Sequence, residues 1–347
     1  MKLLTIDAPR GGRPGVLTGN GDVLDLLGAV DGETIAQWMP SSVRGILEAG
    51  PAGLDLVRRV LDGVESSAGT QNQLRESGAL RSFDGTPLLA AVPDPHLILS
   101  EGLNYYSHLA EMSNTPPPEF PTAFIKVQSS LTGSGKPILI PPQCPDMIDF
   151  EGEMTIVMGR NCHRVSEADA LDYVAGYTII NDVSARDWIP GFQAADSKFG
   201  ALLGWERNIM GKNLPSFSPC GPVITTADEI PDPHDLEITT TLNGEIMQSV
   251  KTDDMVHGVP QMISYFSQWY KLQPGDMITT GSPPGVGFGR DPKVFMKAGD
   301  LIQVDISRIG TLSNTLVAQC GSSPIRISVM LSNSRISGSS STTSICP

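Results

Sequence analysis

The chain has 347 residues, of which 40% are hydrophobic and 18% charged; this excludes an extended disordered polymer and leaves room for two domains with sizeable cores. With 24 basic against 38 acidic residues the formal net charge is −14, which argues against a nucleic-acid partner, because such a surface must replace phosphate counterions with its own cations. No apolar stretch approaches the ~18 residues of a membrane span, so no membrane partner is expected.

Residues 1 to about 95 read as a small α/β N-terminal domain. Leu3-Leu4-Thr5-Ile6 and Pro14-Gly15-Val16-Leu17 have the texture of short strands, with a hairpin-type turn at Asn20-Gly21-Asp22. Helical patterns come next at Val43–Glu48 and Leu54–Leu61, and the polar stretch 64–82 suits a linker. From 97 to 319 strands dominate. Phe150 to Met158 alternates and then turns apolar, Ala175 to Val183 is rich in β-formers, and Leu236 to Met247 carries the hairpin signal Asn243-Gly244. Met277 to Thr280 and Leu301 to Ile306 are further strands. Ser166-x-x-Asp169 predicts a helix start before Tyr173. Val259, Met262, Ile263, Phe266, Trp269 and Tyr270 fall at helical spacing and predict a packing face, for the core or for a subunit contact. Strands that cluster with few helices between them predict a β-rich α+β fold with a mixed sandwich or roll. Residues 320–347 are rich in serine and threonine and are expected to be a disordered tail.

The five cysteines, Cys144, Cys162, Cys220, Cys320 and Cys346, are scattered and include no C-x-x-C pair. They fit neither a disulfide framework nor a thiolate zinc site and suggest a reducing compartment. Met1-Lys2-Leu3-Leu4 opens like a signal peptide, but Asp7 and Arg10 interrupt the apolar run, so a cytoplasmic protein is expected.

Four constellations bear on chemistry. In Asp149-Phe150-Glu151-Gly152-Glu153, residues two apart on a strand share a face, so Glu151 and Glu153 point the same way. Like charges side by side are costly unless a cation lies between them, and carboxylate oxygens suit Mg²⁺, Mn²⁺ or Ca²⁺; the same pattern also occurs on ordinary exposed strands. The apolar run before Asp182 ends in an acid that suits a third ligand or a turn. His108 and Glu111 would share a helix face, where a carboxylate orients an imidazole, although such pairs are often mere surface pairs. Thr279-Thr280-Gly281-Ser282 offers amides and hydroxyls for an oxyanion, or a rigid turn.

Taken together, Gly102–Glu111, Phe124-Ile125-Lys126, Asp149–Val157, Asn181–Asp187, Gly211-Lys212, Cys220-Gly221-Pro222 and Thr279–Gly287 resemble the fumarylacetoacetate hydrolase superfamily in order and spacing across about 97–318. The resemblance implies that Glu151, Glu153 and Asp182 hold Mg²⁺ (or Mn²⁺ or Ca²⁺). It implies that His108 and Glu111 act as an acid/base pair and that Lys212 stabilises negative charge. Tyr105, Thr280, Gly281 and Ser282 would contact a small-molecule carboxylate substrate, and Arg186 would hold the Asp182 loop. A homodimer is likewise implied. Three departures stand out: Ser282 replaces the usual threonine, 188–211 is long, and Asn213 follows Lys212 where a serine is usual.

The first reaction expected is Mg²⁺-dependent hydrolysis of a C–C bond in an acylpyruvate- or fumarylpyruvate-like 1,3-diketo acid. The alternative is decarboxylation or isomerisation of a 2-oxo diacid such as oxaloacetate, because one scaffold supports several reactions. A non-catalytic binding relative is a third reading; it leaves the joint presence of the three acids, His108, Glu111 and Lys212 without a purpose.

Overall fold

The structure, a computed structural model, describes residues 1–112 and 115–319; the serine- and threonine-rich end at 320–347 lies outside the described residues. The strand Gly152–Met158 is buried at every position. It pairs antiparallel with Val174–Asn181 on one edge and with Met277–Thr279 on the other, and both of its faces are covered. Side chains alternate across a strand. Met154, Ile156 and Met158 therefore enter one core with Met262, Ile263 and Phe266 of the helix Val259–Trp269. Val157 enters a second core with Val43, Ile46, Leu47 and Val57 of the N-terminal helices. Each of those large apolar side chains contributes about 1.5–3 kcal/mol by burial.

Among the described residues this sheet has eleven strands and is mixed. The four N-terminal strands, Lys2–Ile6, Arg13–Leu17, Asp22–Asp25 and Leu80–Ser82, extend it antiparallel from Ser218–Thr226, through Lys2 opposite Thr225 and Leu3 opposite Ile224. At the other end Ile98–Glu101 pairs parallel with Met277–Thr279, and Ala123–Ile125 forms the edge. A second sheet of five strands includes the hairpin Glu237–Leu242 and Glu245–Lys251. Its turn residues Asn243 and Gly244 both have positive φ, +52° and +84°, as the hairpin signal requires. This is the β-rich α+β fold the sequence predicts.

Two local expectations need correction. The stretch 64–82 is not a linker. It contains the helix Ala68–Glu76, capped by the Ser67 hydroxyl, and the strand Leu80–Ser82; the helix buries Leu74 alone, so its periodicity is faint in the sequence. Ser166 and Asp169 do hydrogen-bond each other at 2.7 Å, but the next element is a single 3₁₀ turn, Ala170–Tyr173, and not an α-helix. The stripe along Val259–Trp269 is core over its first two turns, and Trp269 is 68% exposed. Among the described residues no helix is long and apolar enough to cross a membrane.

Candidate active site

Glu151 precedes and Glu153 lies within the central strand, and Asp182 comes directly after its neighbour Val174–Asn181. The antiparallel register places Gly152 opposite Asn181, so the end of one strand delivers Asp182 to the start of the other. One oxygen from each of Glu151, Glu153 and Asp182 lies within 4.8 Å of the others, and all three residues are buried. Gly152 between the acids has a packing reason: a Cβ there would stand 2.3 Å from Thr240 Oγ1 and 2.8 Å from Val304 Cγ1 of the second sheet.

Three cations grip this cluster. Lys212 Nζ donates to Glu151 Oε2 at 2.7 Å and to Asp182 Oδ2 at 2.6 Å. Lys126, fully buried, donates to Asp182 Oδ1 and to the Lys212 carbonyl. Arg186 donates to Glu151 Oε1 and, at 3.0 Å, to Asp149 Oδ2. Asp149 in turn accepts from the Gly287 amide at 2.7 Å and the Phe288 amide at 3.2 Å, which ties the loop after Thr279 to the short strand Ile148–Asp149 just before the acids.

This pairing sets the protonation balance. Burial pushes the Glu151 carboxyl up, but Lys212 and Arg186 together outweigh it and hold it below the usual carboxylate range. For Glu153, burial and the charges of Asp182 and Glu151 act in the same direction and push it well above that range. Burial lowers the Lys126 ammonium, which Asp182 partly counters, whereas for Lys212 the two acids outweigh burial and raise it. One oxygen of Glu153, Oε2, is buried without a hydrogen-bond partner among the described residues. A divalent cation bound by hard carboxylate oxygens would supply that missing partner and favour ionised Glu153. The three acids thus fit such an ion, with Glu153 as the member that keeps one oxygen, Oε2, without a hydrogen-bond partner among the described residues.

His108 and Glu111 lie on the short helix Tyr106–Glu111 and hydrogen-bond through Nδ1 and Oε2 at 3.1 Å. Both Glu111 oxygens also accept from the Gly285 amide at 3.1 Å. Gly285 has φ +95°, and a Cβ there would lie 2.2 Å from the Met247 carbonyl oxygen, so this contact needs glycine. Burial raises the Glu111 carboxyl, but the bonds from His108 and Gly285 outweigh it and the result is a lowered pKa.

A cavity of about 570 Å³ joins the parts: His108, Glu111, Glu151, Asp182, Arg186 and Lys212 all line it. Of the residues suggested for substrate contact, Ser282 lines it and accepts from Gln248 Nε2 at 3.0 Å. Tyr105 and Thr280 stand behind the wall. Tyr105 is completely buried, with its hydroxyl 3.4 Å from Thr280 Oγ1, and Thr280 donates to the Met154 carbonyl through both amide and hydroxyl. Gly281, with φ +83°, makes the turn between Thr280 and Ser282. The long segment 188–211 forms the helices Ile189–Gln193 and Lys198–Met210, and Ile189, Trp205 and Ile209 from them complete the wall.

Sequence reasoning did not assign Lys126, Asp149, Gln248 or Glu101. Lys126 comes after an edge strand whose exposure alternates and reads as a surface residue; only the approach of Asp182, 56 positions away, makes it a buried clamp. Glu101 closes the strand Ile98–Glu101 and lines the cavity, 2% exposed. A second cavity of about 510 Å³ along Leu89–Pro93 and Gln128–Gly133 has Lys136 as its charged lining residue, already paired with Asp7.

A family profile described as fumarylacetoacetate (FAA) hydrolase C-terminal matches residues 98–317. Over 319 residues the chain is 35% identical to the mitochondrial oxaloacetate tautomerase FAHD2A of Bos taurus, covering 91% of this chain and 92% of that one. Its fold is similar to the solved structure of a fumarylacetoacetate hydrolase from Exiguobacterium antarcticum, with a TM-score of 0.70 and 31% identity over 92% of this chain and all of that one. It is also similar to a maleylpyruvate hydrolase from Sphingobium in complex with manganese(II) and pyruvate, with a TM-score of 0.65 and 27% identity over 92% of this chain and all of that one.

Proposed function

The chain belongs to the fumarylacetoacetate hydrolase family, and from that premise we propose that it is a divalent-cation-dependent isomerase that interconverts the keto and enol forms of a 2-oxo diacid of the oxaloacetate class. The observation that carries the reading is the opening of the carboxylate cluster and the His108–Glu111 pair into one cavity. Kinship at 35% identity with a relative named for this reaction supports the choice of substrate class. This reverses the order the motifs alone suggest, in which C–C hydrolysis comes first. The motif residues serve both reactions equally, and isomerisation makes no demand for a positioned nucleophilic water.

Glu151, Glu153 and Asp182 would hold the ion, with Mg²⁺ first and Mn²⁺ equally suited to three carboxylate oxygens. Such an ion would supply Lewis-acid stabilisation of negative charge that develops on the substrate. Lys212 adds a fixed positive charge at the same wall. His108, oriented through Nδ1 by Glu111, moves the proton at the carbon next to the carbonyl. Free, buried Cys144, Cys162 and Cys220 suit a reducing compartment such as the cytosol or the mitochondrial matrix.

Hydrolysis of an acylpyruvate is the second reading, supported by the likeness to the maleylpyruvate hydrolase with bound manganese(II) and pyruvate. One assay separates the two. Purified protein with Mg²⁺ should speed the loss of enol-oxaloacetate absorbance, with no CO₂ released and with EDTA abolishing the effect. Cleavage of an acylpyruvate to pyruvate and a carboxylic acid, with no effect on enol-oxaloacetate, would replace isomerisation by hydrolysis, and CO₂ from oxaloacetate would replace it by decarboxylation.

A further inference from the structure

Two carboxyl groups beside the cavity have buried oxygens that no hydrogen bond satisfies among the described residues: Oε2 of Glu153 and both oxygens of Glu101. Buried polar atoms in native proteins are nearly always paired, so each exception calls for a reason. Glu153 has one, since it belongs to the group of acids that fits a cation. Glu101 does not belong to that group. It lines the cavity together with His108, Glu111 and Ser282 and is 2% exposed. A carboxylate needs donors and a carboxylic acid needs an acceptor, so in either protonation state its partner has to come from the contents of the cavity. The backbone holds the residue firmly. Its strand pairs parallel with Met277–Thr279 and antiparallel with Ala123–Ile125, and the next amide, of Gly102, donates to the Thr122 carbonyl.

We infer that Glu101 is a further catalytic residue, the group that exchanges a proton with the substrate's carbonyl oxygen while His108 exchanges one with the neighbouring carbon. This rests on the isomerase reading. In the keto-to-enol direction the Glu101 carboxyl proton goes to the carbonyl oxygen, which keeps the C=O π pair. The C–H proton goes to His108, and the C–H pair becomes the C=C bond. The products are the enol, a Glu101 carboxylate and an imidazolium beside the Glu111 carboxylate. Nothing is oxidised or reduced, and one proton returned through water from His108 to Glu101 restores the start. The enol-to-keto direction is the same step reversed. Burial disfavours the charged form of Glu101, in keeping with a group that holds a proton until substrate takes it.

The test compares wild type with Glu101→Gln, which keeps the shape but cannot exchange the proton, and with Glu101→Leu. For Glu101→Gln, kcat for enol-oxaloacetate should fall about 10²–10⁴-fold with KM within about 3-fold. Thermal stabilisation by Mn²⁺ alone, without substrate, should match wild type, and the metal-free Tm of both variants should equal or exceed that of wild type, because an unpartnered buried carboxyl has been removed. A Glu101→Gln enzyme that keeps kcat within about 3-fold overturns the assignment. Loss of the Mn²⁺ effect in Glu101→Gln also overturns it and moves Glu101 into the cation site. If wild type itself leaves enol-oxaloacetate at the uncatalysed rate, the isomerase reading falls and the assignment with it, whereas an active wild type with an equally active Glu101→Gln removes Glu101 alone.

Discussion

The buried acids at and around the cavity fall into two sets. In one, Asp149, Glu151 and Asp182 meet Arg186, Lys212 and Lys126 in linked buried ion pairs. In the other, Glu101 with both oxygens and Glu153 with Oε2 present buried atoms that have no hydrogen-bond partner among the described residues. The first set satisfies its charges from within the chain, so its geometry is set by folding. The second leaves oxygens that something bound could satisfy. A buried pair resists the loss of one partner strongly even where the pair itself adds little stability, whereas an unpartnered group lowers stability until its ligand arrives.

The largest effect that tests this contrast comes from Glu153→Ala. It removes the acid whose unpartnered Oε2 suits an ion, and turnover should be lost altogether. With Mn²⁺ a hundredfold above Kd, wild type gains about 2.7 kcal/mol from binding; the variant should show no cation-dependent rise in Tm. Wild-type turnover by Glu153→Ala in EDTA would remove the metal from the mechanism.

The paired set should fail in a different way. Lys126→Met leaves Asp182 Oδ1 and the Lys212 carbonyl without their buried donor and should cost about 3–5 kcal/mol, the range for breaking a buried pair, read from urea unfolding of the metal-free protein. On the Lys126→Met background Asp182→Asn should cost less than it does alone, because its contact with Lys126 is already gone. A loss below about 1 kcal/mol for Lys126→Met would mean that the paired set is not a frame, and the contrast would disappear.

The sequence displayed the local half of this arrangement. Glu151 and Glu153 two apart, His108 and Glu111 three apart, and Asp182 after an apolar run are patterns within one element, set by the periods of strand and helix. The motif resemblance then joined them into one site. The hidden half depends on approach between distant segments. Lys126 meets Asp182 across 56 positions and Arg186 meets Asp149 across 37. Glu101 directly precedes the Gly102–Glu111 motif, yet what marks it is a pair of buried oxygens without a partner among the described residues, which no sequence pattern records. The continuity of the sheet across residues 1–95 was hidden for the same reason, since it rests on Lys2 and Leu3 pairing with Thr225 and Ile224.

The smallest effect belongs to Glu111, which belongs to neither set: it is paired by the chain, yet its side chain is a quarter exposed. Its folded pKa lies below the ordinary Glu value of 4.5, since the bonds from His108 and Gly285 outweigh burial. A carboxyl with a depressed folded pKa adds stability that is fully present above its unfolded pKa and is lost as pH falls through the folded value. Partial exposure screens the gain to about 1 kcal/mol or less. Glu111→Gln keeps an oxygen to accept from Gly285 but cannot titrate. The Tm difference between wild type and this variant, measured without metal from pH 3 to 5, should shrink as pH falls below 4.5 and wild type loses its advantage. Other carboxylates cancel in the difference so long as they act independently of Glu111. Parallel curves over the whole range would show that Glu111 is held no better folded than unfolded, and that His108 is oriented by packing and not by this carboxylate.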